Sequence, residues 1–357
     1  MNIKQIKEKV LTNKRLTRKD GIALFKSNDL LTLGRMAAHV AQKKNGKRVY
    51  FVRNMHINPT NICVNRCKFC AFSRSKGEPG AYEMSIDDIL NKARSAGKSV
   101  REFHIVSGLH PDLPFEWYPD MLRALKKEFP KIHLKAFTAV EIDYLTKISG
   151  LNLKDTLLNL KKVGLGSLPG GGAEIFNPSV RNILCAEKIS GDRWLEVMEA
   201  AHGIGLKSNA TMLYGHIETY ENRIDHLLKL RNLQDRTGGF QAFIPLSFHS
   251  QNTEIRKSAY TTGFDDLKTL AISRLMLDNF DHIKAYWVML GEKIAQVSLS
   301  FGVDDLDGTV VEERITKAAG GTTDGSMTKD DIVYLIKQAD RTPVERDTVY
   351  NVVKIWK

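Results

Sequence analysis

Three cysteines stand close together at Cys63, Cys67 and Cys70, in "NICVNRCKFCAFSR", while the chain's fourth, Cys185, is far away in sequence. Spacings of three and two residues let a short loop wrap one corner of a cubane and aim three thiolates at three irons. A ferredoxin-type [4Fe-4S] centre uses four cysteines, so three leave one iron open. An open position separates a metal site that binds a substrate from one that only holds structure together. Zinc is the competing metal, but structural zinc prefers four ligands in paired spacings, and the chain has no second C-x2-C. His56 offers a fourth zinc ligand, although a His at a strand end also reads as packed or substrate-facing. Cys185 would complete a four-cysteine, electron-transferring cluster if the fold returned it to the loop. Its setting, "RNILCAEK", reads as that of a buried free thiol.

The elements that must position this loop follow from periodicity. The chain has 357 residues, 42% hydrophobic and 26% charged, enough for a large core. Short apolar runs read as strands at 49–57, 101–108, 132–139, 165–170, 206–213, 240–247, 281–288 and 302–308. Between them lie amphipathic helical patterns such as "SIDDILNKARSAG", "FEWYPDMLRALKKEF", "DRWLEVMEAAHGIG" and "RIDHLLKLRNLQDRTGG". Eight strand-helix alternations predict an α/β fold, a (β/α)8 TIM-type barrel. We expect an N-terminal helical lead over 1–47, the barrel over 48–317, and a C-terminal loop and segment over 318–357. The Gly-rich "AAGGTTDGSMTKDD" between the last two is either flexible or a cover for the barrel mouth.

Composition excludes several classes. No apolar run approaches the roughly 18 residues a membrane span needs, and the Lys-rich start has no hydrophobic signal core. Both predict a cytoplasmic protein with no membrane partner, where clustered thiols are more often metal ligands or redox groups than disulfides. The net charge of +12 is spread along the chain, with no basic tail or RNA-binding signature. That fits a basic solvated surface or a small anionic substrate better than a zinc-stabilised nucleic-acid-binding protein, and no nucleic-acid partner is expected.

With Phe69 in the aromatic position, the cysteine loop resembles the C-x3-C-x-aromatic-C loop of the radical S-adenosylmethionine (SAM) enzymes. The resemblance implies a [4Fe-4S] cluster on Cys63, Cys67 and Cys70 at the top of the barrel. It also implies SAM chelated to the open iron through its amino and carboxylate groups, a low-potential electron donor of the flavodoxin or ferredoxin type, and reductive cleavage to a 5'-deoxyadenosyl radical. Phe69 would lie against the adenine. In "HIVSGLHPD", Ser107 and Gly108 stand where the family has a Gly-rich turn holding the SAM amino group, and Leu109 replaces that turn's usual acidic residue.

Further stretches, among them "SGLHPDLPFEWYPDMLRALK", "KAFTAVEID", "SLPGGGAEIF", "SNATMLYGHIET" and "DDLDGTVVEE", resemble the aminofutalosine synthase family over roughly residues 48 to 320. Cyclic dehypoxanthinyl futalosine synthases and deazaflavin precursor synthases share part of this pattern. The closer resemblance implies a transferase of menaquinone biosynthesis that consumes SAM as a building block. The adenosyl radical would add to the alkene of 3-[(1-carboxyvinyl)oxy]benzoate, giving 6-amino-6-deoxyfutalosine, methionine and bicarbonate. The alternative is hydrogen abstraction followed by cyclisation.

Other polar residues fall at strand ends: His56, Asn58, Thr138, Glu141, Asn209, Thr211, His216, Glu218, His249, Tyr286 and Asp304. A dianionic substrate needs such hydrogen-bonding partners. His216 and His249 are the candidates for substrate contact or proton donation. Glu174, after Gly170, Gly171 and Gly172, reads either as a ligand for the ribose or amine of SAM or as a cap on the helix that follows. Arg193 reads as a helix-surface residue within reach of the SAM carboxylate.

Overall fold

The computed structural model describes residues 3–96, 100–255, 261–323 and 325–356. Among the described residues eleven strands follow one another: β1 (Arg48–Val52), β2 (Asn54–Ile57), β3 (Glu102–Ile105), β4 (His133–Ala136), β5 (Leu165–Leu168) and β6 (Lys207–Tyr214). They continue as β7 (Phe240–Ser247), β8 (His282–Ile283), β9 (Asp305–Gly308), β10 (Thr342–Arg346) and β11 (Val352–Ile355). Strands β2 to β8 form one sheet in chain order, every neighbouring pair parallel. Strand β9 is bridged to β8 at Lys284 and Asp305; beyond its end Val311 bridges to Met55 of β2. Ala285 N donates to Asp305 O at 2.9 Å and His56 N to Val311 O at 3.1 Å. The strand-helix alternation is therefore present as a curled parallel sheet of seven strands rather than eight, its open side spanned by isolated bridges to β9 and Val311.

Two strand readings need correction. The apolar run at 49–57 divides at Arg53: β2 enters the barrel, whereas β1 joins β9, β10 and β11 in a separate four-stranded sheet. At Arg53 the chain passes from one sheet to the other: its Nε donates to Glu345 of β10 at 2.8 Å, while its carbonyl accepts from Arg101 N, ahead of β3, at 2.7 Å. The run at 281–288 keeps only His282–Ile283 as strand, and Trp287–Leu290 is a helical turn. There Trp287 Nε1 donates to Gly308 O at 2.9 Å and draws the chain off the sheet.

The helices start where their caps say. Ser85 with Asp88, Thr138 with Glu141 and Thr219 with Asn222 form reciprocal capping boxes for Ile86–Ser95, Ala139–Ser149 and Tyr220–Thr237. The N-terminal helices Ile3–Leu11, Arg18–Lys26 and Leu30–Asn45 are fastened to the outer ring by Arg231, which donates to Leu16 O, and by Lys268, which donates to Phe25 O.

Strand side chains alternate, so Met55, Ile57, Phe103, Ile105, Leu134 and Ala136 pack in the core against the helices. The opposite set, Asn54, His56, Glu102, His104 and Lys135, faces the barrel interior and shares rows of register. That interior is polar, and its charges are paired: Lys135 with Glu102 at 2.9 Å, Lys284 with Asp307 at 2.6 Å, and Arg346 with Asp305 at 2.7 Å. Arg346 comes from β10, so the C-terminal sheet supplies a cation to the amino-terminal side of the barrel. Breaking a buried pair by removing one member leaves an uncompensated charge. Arg346→Met is expected to cost about 3–5 kcal/mol of stability, read as a lower urea midpoint; an unchanged midpoint would show that the C-terminal sheet does not brace the barrel.

Candidate active site

The loop carrying the cysteines leaves β2 and turns back across the carboxyl end of β3. Backbone bonds zip it down: Gly108 N to Thr60 O at 2.9 Å, Val64 N to Leu109 O at 2.9 Å, and Cys63 N to Arg74 O at 3.0 Å. A Cβ on Gly108 would meet Ile62 O at 2.2 Å and Cys63 Cβ at 3.1 Å, so the loop can seat only on glycine. Cys63, Cys67 and Cys70 all line a cavity of about 340 Å3 at the carboxyl ends of the strands, within the size range of small-molecule sites. Among the described residues no three Cys, His, Asp or Glu side chains form a group able to hold a single metal ion. A cubane, with irons at separate corners, asks for ligands set apart, and three thiols along one loop fit that demand.

The same cavity is lined by Phe69, Ser107, Gly108, Thr138, Glu141, Glu174, Asn209, Thr211, His249 and Tyr286, which places most of the strand-end candidates together. Glu174 does not cap the next helix, Pro178–Leu184, whose N-cap is Asn177. Its side chain instead takes a hydrogen bond from Lys188 Nζ at 2.7 Å. Glu141 Oε1 accepts from Ser107 N at 3.1 Å, and Oε2 from Thr138 N at 2.8 Å. Burial outweighs these bonds and raises its pKa to about 7.

Several candidates lie elsewhere. The His216 ring is buried outside the cavity lining, with Nε2 on Leu213 O at 2.9 Å and Nδ1 accepting from Ile217 N at 2.7 Å. Its neighbour Glu218 is held by Arg223 at 2.7 Å. Asn58 donates to Val106 O. Asp304 is occupied by His282, Arg274 and Ile283 N, and Asp307 takes the lining position instead. Arg193 pairs with Asp143 at 2.7 Å and Glu196 at 3.0 Å, which is the surface role. His249 does face the cavity, its Nε2 bonded to Met289 O at 3.0 Å. His56 lines it too, stacked on His104 at 4.6 Å, with no hydrogen-bond partner for Nε2 among the described residues. Burial, reinforced by repulsion from His104, lowers its pKa to about 3 and keeps the ring neutral.

Cys185, read from the sequence as a buried free thiol, is one: the chain before it returns to the cysteine loop, where Lys68 N donates to Leu184 O at 2.8 Å, but Cys185 does not line the cavity, whereas the other three do. One feature escaped the sequence: Lys188, a half-buried lysine between Glu174 and Phe69, indistinguishable in sequence from a solvated loop residue. Burial pushes the Cys67 thiol up to about 12, with Lys188 opposing the shift.

Comparison with known proteins agrees with this geometry. Residues 57–230 match the radical SAM superfamily, and residues 237–357 match the CofH/MqnC C-terminal region. The chain is 47% identical to aminodeoxyfutalosine synthase of Thermus thermophilus, covering 98% of this chain and 96% of that one. It is 44% identical to the enzyme of the same name from Streptomyces coelicolor, covering 98% and 94%. A 5-amino-6-(D-ribitylamino)uracil--L-tyrosine 4-hydroxyphenyl transferase of Methanopyrus kandleri is 41% identical, covering 90% and 89%. Among solved structures, the hydrogenase maturase HydG of Carboxydothermus hydrogenoformans superposes with a TM-score of 0.77 at 17% identity, over 98% of this chain and 80% of that one. Methylornithine synthase follows at 0.72 and 18%, over 94% and 95%; both share the fold. Among the described residues no helix is long and apolar enough to cross a membrane. A full-length relative at 47% identity, a match to the superfamily and a shared barrel together settle the family: the chain belongs to the radical SAM enzymes, which implies a [4Fe-4S] cluster and SAM, among the homologues of aminodeoxyfutalosine synthase.

Proposed function

We propose that this chain is an aminofutalosine synthase, joining the adenosyl group of SAM to 3-[(1-carboxyvinyl)oxy]benzoate and releasing methionine and bicarbonate. One observation carries the reading of the site: three closely spaced thiols line the same cavity as Ser107, Gly108 and Glu174. The choice of substrate rests on the full-length likeness to the two synthases. When bound, the cluster and SAM supply a 5'-deoxyadenosyl radical after one electron arrives from an external low-potential donor.

The protein's own task is to bind, orient and exclude. Cys63, Cys67 and Cys70 hold three irons and leave Cys185 behind them as a free thiol. Phe69 lies against the adenine. Ser107 and Gly108 offer backbone to the methionyl amino group, and Glu141 stands in for the acidic residue missing at Leu109. Glu174 takes a ribose hydroxyl. His56, neutral and unpaired, and His249 offer hydrogen bonds to substrate oxygens without competing as cations. Ile315, Thr316 and Ala319 line the mouth and keep water from the radical. Addition to an alkene needs no general acid or base; what it needs is the alkene carbon held near C5' before the radical forms.

Mass spectrometry of anaerobic reactions with SAM and a low-potential reductant tests the assignment, with three substrates offered separately. The adenosyl group is expected to appear joined to the benzoate-derived product. Release of free 5'-deoxyadenosine with dehypoxanthine futalosine would make the chain a cyclase; turnover of the aminoribitylaminouracil with tyrosine would make it a hydroxyphenyl transferase. Cys63→Ala, Cys67→Ala and Cys70→Ala should each abolish SAM cleavage, and Cys185→Ser should retain it.

Glu141 gives a separate, pH-dependent signature. In the fold it keeps its proton to about pH 7, against 4.5 ordinarily, so between those values the folded chain binds the extra proton. Its contribution to stability therefore falls as pH rises through that window and is level above it. Urea midpoints of the wild type, compared with Glu141→Gln, should drop between about pH 5 and about pH 8. An equal difference at both would mean that Glu141 is not buried as described.

A further inference from the structure

We infer that Lys188 is the counter-charge of the iron-sulfur cluster, a positioning residue whose ammonium offsets the thiolate at Cys67 and so sets the cluster's reduction potential. The inference rests on the reading of Cys63, Cys67 and Cys70 as ligands. Lys188 lies in the turn between the helices Pro178–Leu184 and Gly191–Gly203. Its side chain is 15% exposed, and it is the one Lys or Arg among the described residues lining the cavity. Its Nζ stands 4.9 Å from the centroid of Phe69, which lies between Cys67 and Cys70 in the loop. Its ion pair with the Glu174 carboxylate, at 2.7 Å, holds it in place as an ammonium.

The placement is built in. The turn bearing Lys188 is tied to the cysteine loop on both sides of Cys67: Lys68 N donates to Leu184 O at 2.8 Å, and Arg66 N donates to the Glu187 carboxylate. The lysine and the loop therefore move together.

Reduction of the cluster adds one electron from a low-potential donor, breaks no bond and moves no proton. It makes a core already carrying thiolates more negative by one charge. A fixed cation lining the same cavity as the three thiols, against the Phe69 ring, stabilises the reduced state more than the oxidised one. Glu174 works against it, since its carboxylate shares the same ammonium at 2.7 Å. Lys188 and Glu174 thus pull the potential in opposite directions.

Redox-poised EPR titration of anaerobically reconstituted protein, without SAM, reads this directly, with iron content measured alongside. Lys188→Met should titrate at a lower potential than wild type, and Lys188→Arg should restore it. Glu174→Gln should titrate higher, which keeps the inference testable if Lys188→Met holds no iron. An unchanged midpoint in Lys188→Met, or a lowered or unchanged one in Glu174→Gln, overturns it. Wild-type protein that takes up no cluster on Cys63, Cys67 and Cys70 removes the ligand reading itself, an outcome told apart by the iron content.

Discussion

The carboxyl end of β3 has no room for a side chain at Gly108, and the cysteine loop occupies that room. Two backbone bonds, Gly108 N to Thr60 O and Val64 N to Leu109 O, lock the loop where it crosses, and a third, Cys63 N to Arg74 O, ties the loop to itself. This contact fixes where the thiols stand relative to Ser107, and through Ser107 relative to Glu141, which completes the capping box of the helix Ala139–Ser149 and reaches to the neighbouring strand end. The site is thus a stack of strand ends on which each loop rests on its neighbour. Disturbing the seat at Gly108 would move the cysteines, the backbone proposed for the amino group and the carboxylate beside it together.

Beneath this lies an interior that is charged and nearly neutral. Lys135, Lys284 and Arg346 each answer an aspartate or glutamate, so the barrel floor projects little net charge upward. Against that background the neutral His56 and Lys188, the single lysine lining the cavity among the described residues, acquire their meaning. An anionic ligand entering the cavity meets few formal cations, and its binding falls to neutral donors: backbone amides, imidazoles and amide side chains. Such a site tolerates carboxylates without trapping them, which suits the charged substrate and product proposed above.

Much of this was written locally in the sequence. The cysteine spacing, the turn at Ser107 and Gly108, and the placement of Glu174 after three glycines are short-range signals, and the cavity gathers them. Even the terse "GVDDLDG" identified β9, the strand bridged to β8. Long-range pairing was not legible: nothing in the run 49–57 reveals that its first half pairs with β10, almost three hundred residues on, while its second half pairs with β3. His216 misled because a His beside a strand end looks the same whether it faces a ligand or, as here, its own backbone. Lys188 was missed for the converse reason. A lysine in a short loop is ordinarily solvated, and only the return of Cys185 and Leu184 to the cysteine loop makes this one interior.

The central claim is that three cysteines hold the cluster and leave one iron for SAM. Electron-nuclear double resonance on the reduced protein, with SAM labelled at its amino nitrogen and carboxylate oxygens, tests it most directly. We expect hyperfine coupling from both labels, in the wild type and equally in Cys185→Ser. A reduced cluster without either coupling, or one lost on replacing Cys185, would mean a closed four-cysteine centre and contradict the account.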